Sequence, residues 1–286
     1  ANAMHRIPDL EKTGVKMLLN GPESFTPDDC FLLGESPELR GFFLGCGMCS
    51  VGIASGGGAG SALAEWIIDG EPTMDLWPVD IRRFVLAQNT LRTLRERSPE
   101  TLALHYAVSF PGRQHQTARN LRVSPLHSRL ETAGAEFAER MGWERPRWFN
   151  PERKPTSPEL SFEKPGWHSI HAEEHQAARE AVVLFDQSTF GKLLVQGRDA
   201  ESALQRLCAN DISKADRRVV YTAMLNQRGG YESDLTLMRL DAESFLLVTG
   251  TGQPVRDRDW IRRNLNPDEY VTVTDMTGSY AVISIA

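Results

Sequence analysis

The sequence is poor in cysteine, with Cys30, Cys46, Cys49 and Cys208 the four such residues among 286. That is too few for a disulfide scaffold and fits a reducing compartment. A basic excess is also missing: 32 Lys and Arg face 38 Asp and Glu, for a net charge of -6. This argues against nucleic acid as a partner. No run of about 18 apolar residues occurs, so no membrane-spanning helix is expected. No basic-then-apolar leader is visible at the start. Internal repeats, low-complexity tracts, a G-x-S-x-G elbow and a P-loop are absent as well. What is present, 41% hydrophobic and 24% charged residues, excludes global disorder. At about 150 residues per domain, the length supports about two domains.

Short apolar runs bounded by Gly, Pro and charge predict strands at 31–33 and 42–44. Helical spacing predicts a helix from Ser55 to Gly70, because Leu63, Trp66 and Ile67 share a face and Gly70 suits the residue after its end. Further helices are expected over Asp80–Glu96 and Ser128–Met141. Residues 150–165 hold four prolines in sixteen positions and read as a linker. Beyond it the pattern predicts helices at Ala172–Leu184, Ala200–Cys208 and Arg256–Leu265. Strands are expected at 191–196, 219–226, 231–240, 245–250 and 270–275, with Gly229-Gly230 turning one hairpin. The last residues, 279–286, also read as a strand. With Ala1-Asn2-Ala3-Met4 at the other end, this implies an internal piece of a longer chain.

Several motifs carry a chemical reading beside a plain one. Gly56-Gly57-Gly58-Ala59-Gly60 is expected to open the first long helix, where free N–H groups and the helix dipole attract negative charge. Close helix packing explains it equally. Gly45-Cys-Gly-Met-Cys-Ser50 falls one glycine short of a dinucleotide fingerprint. Cys46-x-x-Cys49 has redox or zinc spacing, yet the expected helix starts too far downstream and two more ligands are missing. His171-Ala-Glu-Glu-His175 fits an H-x-x-E-H pattern but lacks a third ligand and suits a solvated helix start. In a strand, Glu232, Asp234 and Thr236 share one face while Leu235 and Leu237 take the other. A lone aspartate there is most simply a solvent-facing group.

Longer strings say more. Asn20-Gly-Pro-Glu-Ser-Phe-Thr-Pro-Asp28, Leu33-Gly-Glu-Ser-Pro-Glu38, Gly45-Cys-Gly-Met-Cys-Ser-Val-Gly-Ile53 and Gly56-Gly-Gly-Ala-Gly60 with Leu63-Ala-Glu-Trp66 resemble the end of the flavin domain in dimethylglycine and sarcosine dehydrogenases. Asp80-Ile-Arg-Arg-Phe84, Ser124-Pro-Leu-His-Ser-Arg-Leu130 and Gly142-Trp-Glu-Arg-Pro-Arg-Trp-Phe149 are similar to that family's central segment. From Trp167 onward, Phe185-Asp-Gln-Ser188, Tyr221-Thr-Ala-Met-Leu-Asn226 and Gly229-Gly-Tyr-Glu-Ser-Asp-Leu235 resemble its folate-binding aminomethyltransferase domain, which is close to the glycine-cleavage T-protein.

The resemblance implies an α+β / α/β chain in four parts. Residues 1–85 end an FAD-dependent oxidoreductase domain, 86–149 form a central segment, 150–165 a linker, and 166–286 begin the aminomethyltransferase domain. It implies FAD and tetrahydrofolate as cofactors, a small N-methyl amine as substrate, and electron-transfer flavoprotein or oxygen as electron acceptor. No nucleic-acid or membrane partner is expected. The setting would be a bacterial cytoplasm or a mitochondrial matrix. Flavin contacts are expected at Gly45, Gly47, Cys49, Ser50, Gly52, Ile53, Gly56, Gly57 and Gly58. Folate contacts are expected at Tyr221 and Asp234, with Asp234 catalytic. The family more often has Asn where Cys49 stands, and an Asn is expected near Gly250. Two alternatives share the strings: a non-catalytic homologue resembling the pyruvate dehydrogenase phosphatase regulatory subunit, and a free-standing aminomethyltransferase.

Overall fold

The computed structural model describes residues 2–152, 160–213 and 219–286. The middle of the expected linker, residues 153–159, lies outside the described residues. A short helix α1 (Asn2–Arg6) precedes an extended stretch. Then β1 (Leu32–Glu35) and β2 (Phe43–Cys46) pair antiparallel, with Leu33 opposite Gly45. Helix α2 (Gly52–Asp69) follows and ends on Gly70 at φ 79°, the left-handed stop its position promised. The inner face of α2 sets Ala59 and Ala62 against Leu33. Trp66 lies on Gly34, where a Cβ would come within 2.7 Å of the indole, so only glycine fits.

Two expected helices change form. Over 77–89 the chain makes three short 3-10 turns, and Asp80 caps the second by accepting from the Arg82 N–H. The true helix, α3 (Leu91–His105), starts where the Thr90 hydroxyl accepts from the Thr93 N–H. The second helix stops early as α4 (His127–Thr132). Gly134, at φ 88°, turns the chain so closely past Asn150 and Pro151 that a Cβ would reach their backbone at 2.7 Å. Strand β3 (Ala135–Arg140) then pairs with β4 (Trp143–Phe149) through a turn with Met141 and Gly142 at positive φ. The spacing of Leu130, Ala133 and Phe137 satisfied a helix pattern, but the glycine and the hairpin turn override it.

The rest follows the expected order closely. Helix α5 (His168–Glu180) lies four residues earlier than its pattern suggested, which frees Leu184 for β5 (Leu184–Asp186). Then come β6 (Gly191–Gln196), α6 (Ala200–Leu207), β7 (Val219–Leu225), β8 (Tyr231–Arg239), β9 (Ser244–Thr249), α7 (Pro254–Arg263), β10 (Thr272–Asp275) and β11 (Ile283–Ile285). Five strands form one antiparallel sheet in the order β10-β6-β9-β8-β7, while β11 pairs with β5. Alternate residues Leu193, Val195, Leu235, Leu237, Phe245 and Leu247 point to one face of the sheet and pack against α6 and α7. This is the main core. Each of these side chains, at 2% exposure or less, gains roughly 1.5–3 kcal/mol from leaving water.

A chain of buried ion pairs ties α7 to the first part of the chain. Arg82 donates to Asp80 at 2.7 Å and to Asp259 at 3.1 Å. Asp259 also forms an ion pair with Arg263 at 2.6 Å, and Arg263 reaches Glu35 on β1. Burial pulls the Arg82 guanidinium toward deprotonation, but the two carboxylates outweigh it and hold its pKa above the usual arginine value. No helix among the described residues is long and apolar enough to cross a membrane.

Candidate functional site

Strand β8 alternates as its sequence requires: Leu235 and Leu237 are 2% and 0% exposed, and Asp234 faces out. Opposite it on β7, Ala223 pairs with Asp234 and Tyr221 with Thr236. Tyr221 is therefore the diagonal neighbour of Asp234 on the same face. Its hydroxyl donates to Asp234 Oδ2 at 2.7 Å. That hydrogen bond, with the carboxylate's charge, raises the phenol's pKa. The structure thus joins the two residues that the sequence assigned to folate.

Asp234 also borders a cavity of about 550 Å³. One wall is the segment from Trp66 to Arg82, including Trp77; the other is β8 and the start of α7. The β7–β8 register slips between Met224 and Leu225, which leaves Glu232 without an opposite residue. A bulge of this kind re-aims a side chain, and here Glu232 accepts from Arg256 Nη2 at 2.9 Å and from Asn226 Nδ2 at 3.3 Å. Arg256 lies over the Trp77 ring at 5.6 Å. Beneath the sheet, Asp257 is fully buried. It accepts from Ser233 Oγ at 2.9 Å and from Thr249 Oγ1, which fastens β8 and β9 beside Asp234. Burial outweighs those two hydrogen bonds and pushes its carboxyl up to about 6.

Gly56, Gly57 and Gly58 do not open α2. The helix starts four residues earlier, at Gly52, so the N–H groups of these glycines are committed to its internal ladder. The helix-opening expectation is corrected accordingly. The Ser55 N–H is the first to bond back, to Val51 O, and helix geometry leaves Gly52, Ile53 and Ala54 as the free donors. Ile53 is fully exposed beside them. A Cβ at Gly56, Gly57 or Gly58 would meet nothing within 4 Å. The spacing hid the true start because Val51-Gly-Ile-Ala54 carries no Ser, Thr, Asp or Asn cap, and the structure shows no side-chain cap there.

Other expected contacts lie in β2 and in the turn between it and α2. Gly45 packs on Leu63, and Gly47, at φ 63°, leaves room for Thr26. Cys49 is 1% exposed at φ 46°. Its N–H donates to Ser24 O, and its thiol accepts from the Thr26 N–H and donates to Gly47 O. The thiol is therefore engaged in holding its own loop. Ser50, at φ 64°, is exposed next to it. Cys46 is exposed and unpaired. His171 Nε2 donates to Arg147 O at 2.8 Å and its ring stands edge-on to Trp167, which places it in packing.

Helix α2 connects the two candidate regions. Its free N–H groups lie at one end, and Trp66 and Gly70 at its other end line the cavity bordered by Asp234. Eighteen residues at 1.5 Å each span roughly 27 Å. Sequence reasoning missed Glu232, Gln253, Arg256, Asp257 and Trp260. A usable signal existed, since Arg256 and Trp260 stand one turn apart in the helix expected over Arg256–Leu265, with Gln253 three residues ahead of it.

Comparison with known proteins agrees with the resemblance. The GCVT N-terminal domain family matches residues 126–286, and the FAD dependent oxidoreductase central domain matches residues 69–124. Mitochondrial sarcosine dehydrogenase of Mus musculus is 45% identical over 264 residues, covering 83% of this chain and 29% of that protein. The 4-methylaminobutanoate oxidase (formaldehyde-forming) of Paenarthrobacter nicotinovorans is 41% identical, covering 100% of this chain and 34% of that protein. The mitochondrial pyruvate dehydrogenase phosphatase regulatory subunit of Mus musculus is 37% identical, covering 100% of this chain and 33% of that protein. The chain spans about a third of the length of these curated relatives.

Proposed function

The chain belongs to the GCVT N-terminal domain family, with an FAD dependent oxidoreductase central domain ahead of it, and from that premise we propose that it serves FAD-dependent oxidative N-demethylation of a methylated glycine. The one-carbon unit passes to tetrahydrofolate. Bound FAD would supply the hydride acceptor for oxidation of the N-methyl carbon to an iminium. The residues present fit that role at one place: the free N–H groups of Gly52, Ile53 and Ala54 put the positive end of α2 on an open surface. Such an end favours negative charge on a ligand. In this reading Gly45, Gly47, Cys49 and Ser50 shape the turn before the helix, and Gly56 to Gly58 keep its outer face bare.

The observation that carries the reading is the Tyr221–Asp234 pair. A carboxylate held by a phenol on an open strand face can take a proton from a folate nitrogen and steady a cationic one-carbon group beside it. Loss of the iminium to water would instead give formaldehyde. The electron acceptor, an electron-transfer flavoprotein or oxygen, and a setting in the bacterial cytoplasm or mitochondrial matrix belong to the same proposal.

Two regions with two chemistries make the test direct. Anaerobic mixing of the full-length protein with sarcosine or dimethylglycine should bleach its flavin. With tetrahydrofolate present, methylenetetrahydrofolate should form in place of formaldehyde. Flavin that stays oxidised with every N-methylglycine would exclude the reaction and favour the non-catalytic alternative, a role like that of the phosphatase regulatory subunit.

A further inference from the structure

Helix α7 grips β8 at the two residues just before Asp234. Arg256 Nη2 donates to Glu232 at 2.9 Å. Asp257 Oδ2 accepts from Ser233 Oγ at 2.9 Å, and the same oxygen accepts from Thr249 Oγ1 on β9. Thr249 stands opposite Leu235 in the β8–β9 ladder. Asp234 therefore sits between Ser233 and Leu235, both fixed from beneath the sheet. Its own side chain leaves on the open face, toward the exposed Tyr221.

The helix is itself fastened to the first part of the chain. Asp259 accepts from Arg82 Nη1 at 3.1 Å and pairs with Arg263 at 2.6 Å. Arg263 in turn reaches Glu35 on β1. One helix of ten residues thus holds β8 with one pair of side chains and the first region with another. Its internal hydrogen-bond ladder keeps the two anchors in fixed relation. Asp257 is fully buried, and its Oδ1 has no partner among the described residues. A buried carboxyl with an unmet oxygen is a poor way to stabilise a fold, so its presence here points to a role in placing its neighbour.

We infer that Asp257 is a positioning residue: through Ser233 and Thr249 it fixes Asp234 relative to the first region, so that the one-carbon unit meets tetrahydrofolate before it meets water. The inference rests on the one-carbon reading of Asp234 and adds the residue that places it. Asp257 is closed off from solvent and acts only through the strands. The competing route is hydrolysis of the iminium, which consumes one water and gives formaldehyde and the demethylated amine. A displacement of about 1 Å in a reacting constellation can cost about 10²-fold, so a small shift of β8 is enough to change the outcome.

The test uses the full-length protein with sarcosine and saturating tetrahydrofolate, where the product ratio reports placement rather than folate affinity. The ratio of methylenetetrahydrofolate to formaldehyde is measured beside the rate of flavin bleaching. Asp257→Leu removes the acceptor, and the ratio should fall at least about tenfold with bleaching unchanged. Ser233→Ala breaks one link and should shift the ratio the same way. Asp257→Asn keeps an acceptor for both hydroxyls and should hold the ratio within about twofold of wild type. Ile261→Val loosens α7 on the core without touching the clasp, and should leave the ratio unchanged. That control separates placement from a general loss of stability. Unchanged ratios in Asp257→Leu and Ser233→Ala overturn the inference, as does an equal fall in Ile261→Val. If Asp257→Leu does not fold, Ser233→Ala and Thr249→Val decide in its place. A wild type that bleaches its flavin yet makes no methylenetetrahydrofolate removes the folate role of Asp234 and this inference with it. A wild type that makes it, with the clasp variants unchanged, removes this inference alone.

Discussion

The Tyr221 hydroxyl donates to Asp234 Oδ2 at 2.7 Å across two neighbouring strands. Neither side chain is held by the core, so the pair is oriented by the β7–β8 register and by the contact itself. The Asp257 clasp on Ser233 fixes the strand one residue away. Replacing Asp234 with Ala should leave flavin reduction by the amine nearly unchanged. Methylenetetrahydrofolate formation should fall about 10²–10⁴-fold, the usual range for a general acid–base group, with formaldehyde rising in step. Tyr221→Phe should give a smaller fall and the same product shift. Assaying both products in one reaction decides the matter, and an unchanged methylenetetrahydrofolate yield in Asp234→Ala would remove the catalytic assignment.

The sheet and its pair were legible in the sequence because strand alternation is local. Leu235 and Leu237 had to be buried, which put Asp234 outside, and Gly229-Gly230 set the hairpin that brings Tyr221 across. The three-dimensional consequences were not legible. Cys49 reads like a ligand contact, yet its position at positive φ turns the thiol into Thr26. Gly134 sat in an apparent helix face because nothing local reveals that Asn150 and Pro151 pass behind it. The cavity wall on α7 depends on contact between segments roughly 180 residues apart, such as Arg82 with Asp259, and no periodicity encodes such a meeting.

Gly34 offers a test of how closely β1 and α2 must pack. It has φ 117°, and an added Cβ would lie 2.7 Å from the Trp66 ring. Gly34→Ala should destabilise the protein by roughly 2–4 kcal/mol, combining backbone strain with overpacking. Urea unfolding measures the loss. A loss below about 0.5 kcal/mol, the range of ordinary surface changes, would show that the indole is free to move.

The ion pairs between the two regions make a second stability test. Arg82 is 6% exposed and holds both Asp80 and Asp259. Arg82→Met fills similar space but leaves two buried carboxylates without their shared cation, at a cost of roughly 3–5 kcal/mol. Adding Asp259→Asn should restore part of that loss by removing one stranded charge. A double-mutant cycle measured by chemical denaturation checks the coupling, and strictly additive effects would mean the pair does not join the two regions.

Asp257 gives a pH signature of its own. Burial holds its folded pKa at about 6, above the ordinary value of 3.8. The folded state therefore keeps a proton that the unfolded chain releases between these values. Stability from this group is present below pH about 4, falls as pH rises toward 6, and above that the buried charge costs its full amount. Two units correspond to roughly 3 kcal/mol. Asp257→Asn keeps an acceptor for Ser233 and Thr249 but cannot ionise. Its stability relative to wild type should thus rise from pH 4.5 to 7.5 by up to roughly 3 kcal/mol. Urea midpoints for both proteins at the two pH values measure this. Parallel pH dependence would show that the carboxyl ionises in the folded state at no cost, through partners beyond Ser233 and Thr249.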